Sequence, residues 1–189
     1  MKTDKFSNKI DHDLKKTIVL VGIMGAGKTT VGKILADRIG VKFIDADQEI
    51  ERAAGCTITD FFEKYGEVEF RKGEERVISR ILAGQPCVLA TGGGAFMSQA
   101  TRLLIKKTAT SIWLRVGFEV LEKRLEKRSG RPLLQTVDPQ QTLKELIKER
   151  YPIYNHADFV VDGKNDGVDT TVSKVIECLD DYCLSKQSV

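Results

Sequence analysis

A glycine-rich segment near the N-terminus carries the clearest chemical signal in this 189-residue sequence. Residues Gly22–Thr29 read GIMGAGKT and fit the phosphate-binding pattern GxxxxGK[ST] at every fixed position. The apolar run Thr17–Val21 precedes the segment, and a stretch of helical periodicity follows it. Glycines let backbone amides approach phosphate oxygens, and the first turn of a helix adds partial positive charge. The segment therefore predicts a loop that binds the phosphates of a nucleotide.

Two side chains of this loop carry groups that phosphoryl transfer requires. Lys28 would reach the β- and γ-phosphates, and the Thr29 hydroxyl would ligate Mg²⁺. The alternative is a glycine-rich turn that holds a lysine by chance, but the flanking strand and helix patterns argue against it. The predicted nucleotide-binding residues of the segment are Gly25, Ala26, Gly27, Lys28, Thr29 and Thr30.

Two carboxylates follow the next predicted strand, in the segment Phe43–Asp47 (FIDAD). Ligands of open α/β sheets bind beyond the carboxyl ends of strands, so Asp45 and Asp47 should face the nucleotide. In an extended segment the two side chains would share a face. One could hold hydrated Mg²⁺, and the other could take a proton from an acceptor hydroxyl. The alternative is an N-cap of a helix starting near Gln48, a role that Asp47 would fill.

Three consecutive glycines stand after a third predicted strand, in the segment Thr91–Gly94. Consecutive glycines weaken regular structure and mark places where another group approaches the backbone closely. At the carboxyl end of a strand, the acceptor substrate is the group we expect there. A flexible turn is the alternative.

Three arginines are candidates for binding anions. Arg71 precedes Glu74 by three residues on a predicted helix, so the pair could form an ion pair. Arg131 lies in the segment RSGRPLL between two predicted helices, and Arg150 lies near the end of the second. Most arginines are solvated surface charges, but phosphoryl transfer requires cations beyond the loop lysine. The planar guanidinium also suits a substrate carboxylate.

Alternating strand and helix patterns must position these residues. Such alternation predicts an α/β fold with a parallel sheet and helices on both faces. Four of the strands read as nearly continuous apolar runs, which is typical of parallel strands buried on both faces. The predicted strands are Thr17–Val21, Val41–Ile44, Cys87–Ala90, Ser111–Arg115 and Asp158–Val161. The predicted helices are Lys28–Ile39, one capped at Thr57, Glu67–Leu82, Ser98–Lys106, Phe118–Lys127, one from Asp138 to about Arg150, and Val168–Cys183.

Composition bounds the class of protein. The length suits one domain, which we place at residues 16–189 after a disordered tail at 1–15. The net charge of +3 is too small to predict a nucleic-acid surface. The four cysteines form no CxxC pair, which argues against a zinc site and fits a reducing cytoplasm. No apolar stretch approaches the roughly 20 residues of a membrane span.

Six segments together resemble those of shikimate kinases in order and approximate spacing. The resemblance spans about residues 17 to 180, and the segments are GIMGAGKTT, FIDADQEIE, EFRKGEE, TGGGA, RPLL and ERYPIYNHAD. It implies the nucleoside-monophosphate-kinase-like P-loop fold, a three-layer structure with a five-stranded parallel sheet in the order 2-3-1-4-5. It also implies that ATP and Mg²⁺ are used to phosphorylate the 3-hydroxyl of shikimate, a step toward chorismate and the aromatic amino acids.

The resemblance assigns roles to individual residues. Lys28, Asp47 and Arg131 would be catalytic, with Asp47 as the base and Arg131 on a lid at about residues 127–137. Thr29 and Asp45 would hold Mg²⁺. The residues expected to bind shikimate are Asp47, Arg71, Glu74, Gly92, Gly93, Gly94 and Arg150. The residues expected beside the adenine are Arg128 and Pro132, and Phe62 and Phe70 match walls of the acceptor pocket or core positions.

The sequence leaves some alternatives open. The adenine contact could fall on Lys127 instead of Arg128, and Lys164 stands where an arginine is often found. A gluconate-type kinase has a similar fold and similar substrate chemistry. A nucleotide-binding switch without turnover is a further alternative, although it would not need a base such as Asp47. Size and resemblance suggest a monomer.

Overall fold

A five-stranded parallel sheet forms the centre of the protein, with the strand order β2-β3-β1-β4-β5. The structure, a computed structural model, describes residues 16–126, 138–163 and 167–186. The strands are β1 (Thr17–Val21), β2 (Lys42–Asp45), β3 (Cys87–Ala90), β4 (Ala109–Arg115) and β5 (Phe159–Asp162). The predicted parallel sheet and its order are therefore confirmed.

Helices connect the strands and cover the sheet. They are α1 (Lys28–Arg38), α2 (Ala46–Ala54), α3 (Ile58–Leu82), α4 (Gln99–Thr108), α5 (Phe118–Glu126), α6 (Pro139–Tyr154) and α7 (Val168–Lys186). The β1–β2 connection runs along the sheet in one direction, and the later connections run in the other. Because parallel crossovers are right-handed, α1 lies on one face and α3, α4 and α6 lie on the opposite face. Helix α7 contacts α1 and completes the first layer.

Burial follows the strand order. Every residue of β1 and β3 is buried, as are all of β4 except Arg115. The edge strands β2 and β5 are only partly buried. The continuous apolar runs in the sequence thus mark the central strands, which pack against helices on both faces.

The register of the sheet brings three strand ends to one level. Leu20 of β1 pairs with Ala90 of β3, and Asp45 of β2 pairs with the same Ala90. The segments that leave these strands therefore start side by side. They are the glycine-rich loop after β1, the carboxylates after β2 and the three glycines after β3.

Two helices differ from the sequence prediction. Helix α3 begins after Thr57, whose side chain caps it as predicted, and runs on to Leu82 with a kink at Gly66 (φ 77°, ψ 172°). Helix α6 continues past Arg150 to Tyr154 and includes Pro152. A proline in the last turn costs one hydrogen bond without interrupting a longer ladder, so the helix persists. None of the described helices is long and apolar enough to cross a membrane.

A carboxylate joins the start of β5 to β4 just before their first paired residues. Asp158 Oδ2 accepts hydrogen bonds from the Ser111 amide at 2.8 Å and from the Ser111 hydroxyl at 2.6 Å. The strand pairing itself begins one residue later, at Ile112 and Phe159. The Asp158 side chain therefore satisfies a backbone donor that the sheet does not reach.

We expect Asp158→Ala to lower the free energy of unfolding by about 2 kcal/mol, because it leaves a buried strand amide without its acceptor. Urea denaturation would measure the change. Asp169→Ala is the control, since Asp169 pairs with Arg38 at 2.6 Å but its side chain is 80% exposed. It should cost less than about 1 kcal/mol. Equal losses in the two variants would contradict the role given to Asp158.

Candidate active site

The glycine-rich loop after β1 leads directly into the first turn of α1. Gly27 is the N-cap of α1 and has a left-handed backbone (φ 96°). The Lys28 ammonium donates to the carbonyls of Gly22 at 2.8 Å and Ile23 at 3.0 Å. These bonds hold the ammonium beside the loop amides, where it adds to the positive charge of the helix start. Thr30, in the first turn of α1, is exposed.

Two oxygen donors lie together next to this loop. The Thr29 hydroxyl donates to Asp45 Oδ2 at 2.9 Å. Both groups are hard oxygen ligands, and Mg²⁺ takes one or two such protein ligands together with waters and phosphate oxygens. The pair therefore fits a Mg²⁺ ion bound with a nucleotide. The described part of the chain contains no group of three or more His, Cys, Asp or Glu residues that could hold a metal ion, so this ion would also need ligands from water and from the nucleotide.

The segment after β2 differs from the sequence prediction. Helix α2 begins at Ala46, and its N-cap is Asp45, whose Oδ1 accepts from the Asp47 amide at 3.1 Å. Asp47 lies in the first helical turn, so the N-cap role considered for it was wrong. The two carboxylates also do not share one face of an extended segment, because the helical turn between them rotates the second away. Asp45 faces Thr29, and Asp47 lies against the glycines after β3.

A buried carboxylate, that of Glu74, lies beside the half-buried Asp47. A Cβ built on Gly92 would lie 2.8 Å from Asp47 Oδ1 and 2.7 Å from Glu74 Oε1, so the two oxygens contact the same backbone position. Glu74 is 2% exposed, and its Oε2 accepts from Arg71 Nη1 at 2.7 Å. Its Oε1 has no hydrogen-bond partner among the described residues. Burial raises the pKa of Glu74, Arg71 lowers it and Asp47 raises it further.

Two carboxylates bind Arg71, and its guanidinium lies close to the backbone of Gly94. Glu67 Oε1 accepts from its Nε at 3.2 Å and its Nη2 at 3.0 Å, while Glu74 accepts from Nη1. The guanidinium also lies over the Phe70 ring. A Cβ on Gly94 would lie only 2.5 Å from the guanidinium carbon, so any other residue there would displace the arginine. Glycine at this position therefore allows the guanidinium to approach the backbone closely.

Arg150 supplies a second guanidinium, and part of it lacks protein partners. The residue is 6% exposed, and its Nε and Nη1 make no hydrogen bond to the described residues. A Cβ on Gly93 would lie 3.4 Å from Nη1 and 3.4 Å from the Met24 amide of the phosphate loop. A buried cation without a partner is costly, so this face of Arg150 favours an anionic ligand.

The structure therefore brings most of the predicted site residues to one pocket. Thr29, Asp45 and Lys28 lie at the phosphate loop, and Arg71 and Arg150 flank the glycines that follow β3. Phe62 and Phe70 pack with ring centroids 4.5 Å apart, and Phe70 belongs to the buried core. The predicted residues Arg128, Arg131 and Pro132, and the alternatives Lys127 and Lys164, lie outside the described residues.

Sequence reasoning missed three residues that contact the site. Arg124 of α5 donates to the carbonyls of Gly25 at 3.3 Å and Ala26 at 3.4 Å. Glu67 binds the outer edge of Arg71, and Tyr154 donates a hydrogen bond to the Gly93 carbonyl. An i,i+4 spacing to Arg71 could have indicated Glu67. Nothing in the local pattern marks the other two, because their partners are distant in sequence.

Comparisons with known proteins give a consistent family assignment. The family model described as shikimate kinase matches residues 24–180. A shikimate kinase of Bradyrhizobium diazoefficiens is 49% identical over 92% of this chain and 84% of its own length. A solved shikimate kinase of Acinetobacter baumannii in complex with shikimate is 39% identical, covers 90% of this chain and 94% of its own, and gives a TM-score of 0.80.

A more distant structure bears on the alternative kinase. A solved gluconokinase of Sinorhizobium meliloti is 18% identical, covers 94% of this chain and 100% of its own, and gives a TM-score of 0.59. Similarity at this level shows a shared fold alone. The comparisons therefore do not favour the gluconate-type alternative.

The raised pKa of Glu74 predicts how stability depends on pH. The folded protein holds the Glu74 proton more tightly than the unfolded chain, whose carboxyl has its ordinary pKa of 4.5. As pH rises above about 4.5, the unfolded chain ionises first, so the wild type should lose stability relative to Glu74→Gln. Urea unfolding between pH 4 and 8 would measure this difference.

Glu69→Gln is the matched control on the same helix. The hydrogen bond to Lys72 lowers the pKa of Glu69, so the stability difference between wild type and Glu69→Gln should grow as pH rises to about 4.5 and stay constant above it. A constant difference between wild type and Glu74→Gln across this pH range would contradict the desolvation of Glu74.

Proposed function

The chain belongs to the shikimate kinase family, and we propose that it transfers the γ-phosphoryl group of ATP to the 3-hydroxyl of shikimate. The products are ADP and shikimate 3-phosphate, on the route to chorismate and the aromatic amino acids. One observation carries the proposal for this chain. A buried guanidinium with unpartnered Nε and Nη1, that of Arg150, lies beside the glycines that adjoin both the phosphate loop and Asp47.

The pocket suits a small acid that carries hydroxyl groups. Arg150 and Arg71 provide planar donors for a carboxylate, which guanidinium groups bind in a charge-assisted manner. Asp47 and the unpartnered Glu74 Oε1 provide acceptors for hydroxyl groups at Gly92. Cationic and anionic groups thus lie at different ends of one short glycine segment, which supports an acceptor with a carboxylate at one end and hydroxyls at the other.

Asp47 is the proposed general base. The 3-hydroxyl oxygen of shikimate forms a bond to the γ-phosphorus, and the bond from this phosphorus to the β–γ bridging oxygen breaks. The hydroxyl proton passes to the Asp47 carboxylate, and the electron pair of the broken bond leaves with ADP. Lys28 and the loop amides stabilise the charge that develops on the transferred oxygens. Mg²⁺ held by Thr29 and, through water, by Asp45 would neutralise phosphate charge.

The lid belongs to the proposal as well. We place it at about residues 127–137, with Arg131 on the phosphates and Arg128 and Pro132 beside the adenine. Such a closing segment would exclude water, which otherwise leads to ATP hydrolysis. Arg124, whose guanidinium lies on the phosphate loop, belongs to the helix that leads into this segment.

The proposed setting is a monomer in the cytoplasm. Thiols are found at Cys56, Cys87 and Cys178 among the described residues, which suits a reducing compartment. A nucleotide-binding switch is not favoured, because a switch has no use for a base next to an acceptor pocket.

Turnover with different acceptors tests the proposed function. ADP release would be measured with shikimate, gluconate or AMP as separate acceptors, and without any acceptor. Of the three acceptors, we expect only shikimate to cause ADP release, with one ADP formed for each shikimate consumed. ³¹P NMR of the product should show a phosphomonoester at the 3-position. Faster release with gluconate, or equal release without an acceptor, would contradict the proposal.

A pair of conservative variants separates the base from the metal ligand. Asp47→Asn keeps the shape and removes the proton acceptor, so kcat should fall by roughly 10²–10⁴-fold at unchanged Mg²⁺ dependence. Asp45→Asn should instead raise the Mg²⁺ concentration needed for half-maximal rate. An unchanged kcat in Asp47→Asn would refute its role as the base.

A further inference from the structure

Tyr154 is a buried hydroxyl residue at the end of α6 that the reaction scheme above does not use. It is 0% exposed, and its ring packs among Trp113, Phe96 and Tyr151, with centroids 5.9, 6.5 and 6.2 Å away. Such packing leaves the ring little freedom to rotate or shift. The position of its hydroxyl is therefore set by the core.

The Tyr154 hydroxyl donates to the Gly93 carbonyl. Burial raises the pKa of Tyr154 to about 12, against the lowering effect of Arg150, so the hydroxyl keeps its proton at every working pH. A peptide unit is planar, and in its trans form the carbonyl and the following N–H point in opposite directions. By holding the Gly93 carbonyl, Tyr154 thus fixes the direction of the Gly94 N–H, which points away from the tyrosine.

Arg150 and Tyr154 act from the same helix face. They are four residues apart on α6, so their side chains are neighbours. A Cβ on Gly93 would lie 3.4 Å from Arg150 Nη1, so the glycine segment contacts both residues. One rigid helix turn therefore holds the guanidinium and the adjoining peptide in a fixed relation.

We propose that Tyr154 is a positioning residue for the acceptor carboxylate. This inference rests on the proposed function, in which Arg150 and the glycine amides bind that carboxylate. Tyr154 does not touch the substrate. Its hydroxyl aligns the Gly93–Gly94 peptide so that the Gly94 N–H and the Arg150 guanidinium donate to one carboxylate group, and it leaves the nucleotide site unaffected.

Tyr154→Phe tests this role because it removes the hydroxyl and keeps the packed ring. The expected result is a rise in KM for shikimate of about tenfold, the effect of one well-placed hydrogen bond, with KM for ATP within about twofold of wild type. KM does not depend on the fraction of active enzyme, so the KM of Tyr154→Phe can be compared with that of wild type even if part of the variant is unfolded.

Tyr151→Phe is the matched control. Tyr151 lies on the same helix, belongs to the same aromatic cluster and donates to a backbone carbonyl, that of Val116, away from the glycine segment. Both variants lose a hydroxyl-to-carbonyl bond, so they should lose similar stability in urea. Only Tyr154→Phe should change KM for shikimate.

An acceptor without a carboxylate tests whether the effect of Tyr154 depends on the carboxylate. With the analogue in which a hydroxymethyl group replaces the carboxylate, wild type and Tyr154→Phe should have equal KM values. A KM for shikimate within twofold of wild type in Tyr154→Phe would overturn the inference. Equal increases for shikimate and ATP would overturn it as well, since the hydroxyl would then support the fold in general.

The two proposals fail in different ways. Absence of shikimate phosphorylation by the wild type refutes the proposed function. Normal shikimate phosphorylation by the wild type, with no specific effect of Tyr154→Phe, refutes only the positioning role.

Discussion

The pairing of β1 with both β3 and β4 is the constraint on which the site depends. Parallel strands end at the same edge, and the register places Leu20 opposite Ala90 and Val21 opposite Trp113. The phosphate loop must therefore begin beside the glycine segment. A slip of one residue between β1 and β3 would exchange the two buried faces of one strand, and its apolar side chains would no longer fit the helices packed on each face, so close packing enforces the register. The core thus determines where the chemistry takes place.

Among the residues that the structure describes, the incompletely paired buried charges lie around the glycines that follow β3. Elsewhere, ion pairs such as Arg115–Asp162 are exposed to solvent, and the two charges in each pair neutralise one another. In the pocket, Glu74 Oε1 and the Nε and Nη1 of Arg150 are buried without described partners. Desolvating such groups costs free energy, which folding must offset elsewhere. A ligand that supplies both an anion and hydroxyl donors recovers that cost on binding, which favours a polar acid over an apolar acceptor.

The sequence predicted the elements of the fold better than the relations between side chains. β1 and β3 have the predicted bounds, because continuous apolar runs identify central strands. The exact helix ends were less predictable. The helix from Asp138 was predicted to end at about Arg150, yet α6 continues through Pro152 to Tyr154, and Asp45 rather than Asp47 caps α2. Both outcomes depend on packing and turn geometry that a local pattern does not contain.

The same contrast between local pattern and tertiary contact holds for the site residues. The resemblance gave candidate roles to Lys28, Asp47 and Arg150, but none to Tyr154, although the segment ERYPIYNHAD includes it. Tyr154 and Arg124 were missed, although they contact the same loops. Their partners, Gly93 and Gly25, are far from them in sequence, and the contacts involve backbone carbonyls that carry no residue-specific signal. Contacts of this kind become visible only when the fold brings distant segments together.

The three glycines after β3 explain how the pocket sets the distance between its two ends. None of them has a positive φ, so they serve close approach rather than a special backbone conformation, and the approach is tight at Gly92 and Gly94 but an ordinary contact at Gly93. Gly92 lies against Asp47 and Glu74, Gly93 against Arg150, and Gly94 against Arg71. Consecutive peptide units therefore separate Asp47 from the two guanidinium groups by a fixed length, and the Tyr154 hydroxyl holds the peptide between Gly93 and Gly94. A cyclic acceptor with a rigid spacing between carboxylate and hydroxyl loses little conformational entropy on binding there, whereas an open-chain acid must restrict several rotors. This difference favours the ring of shikimate over gluconate.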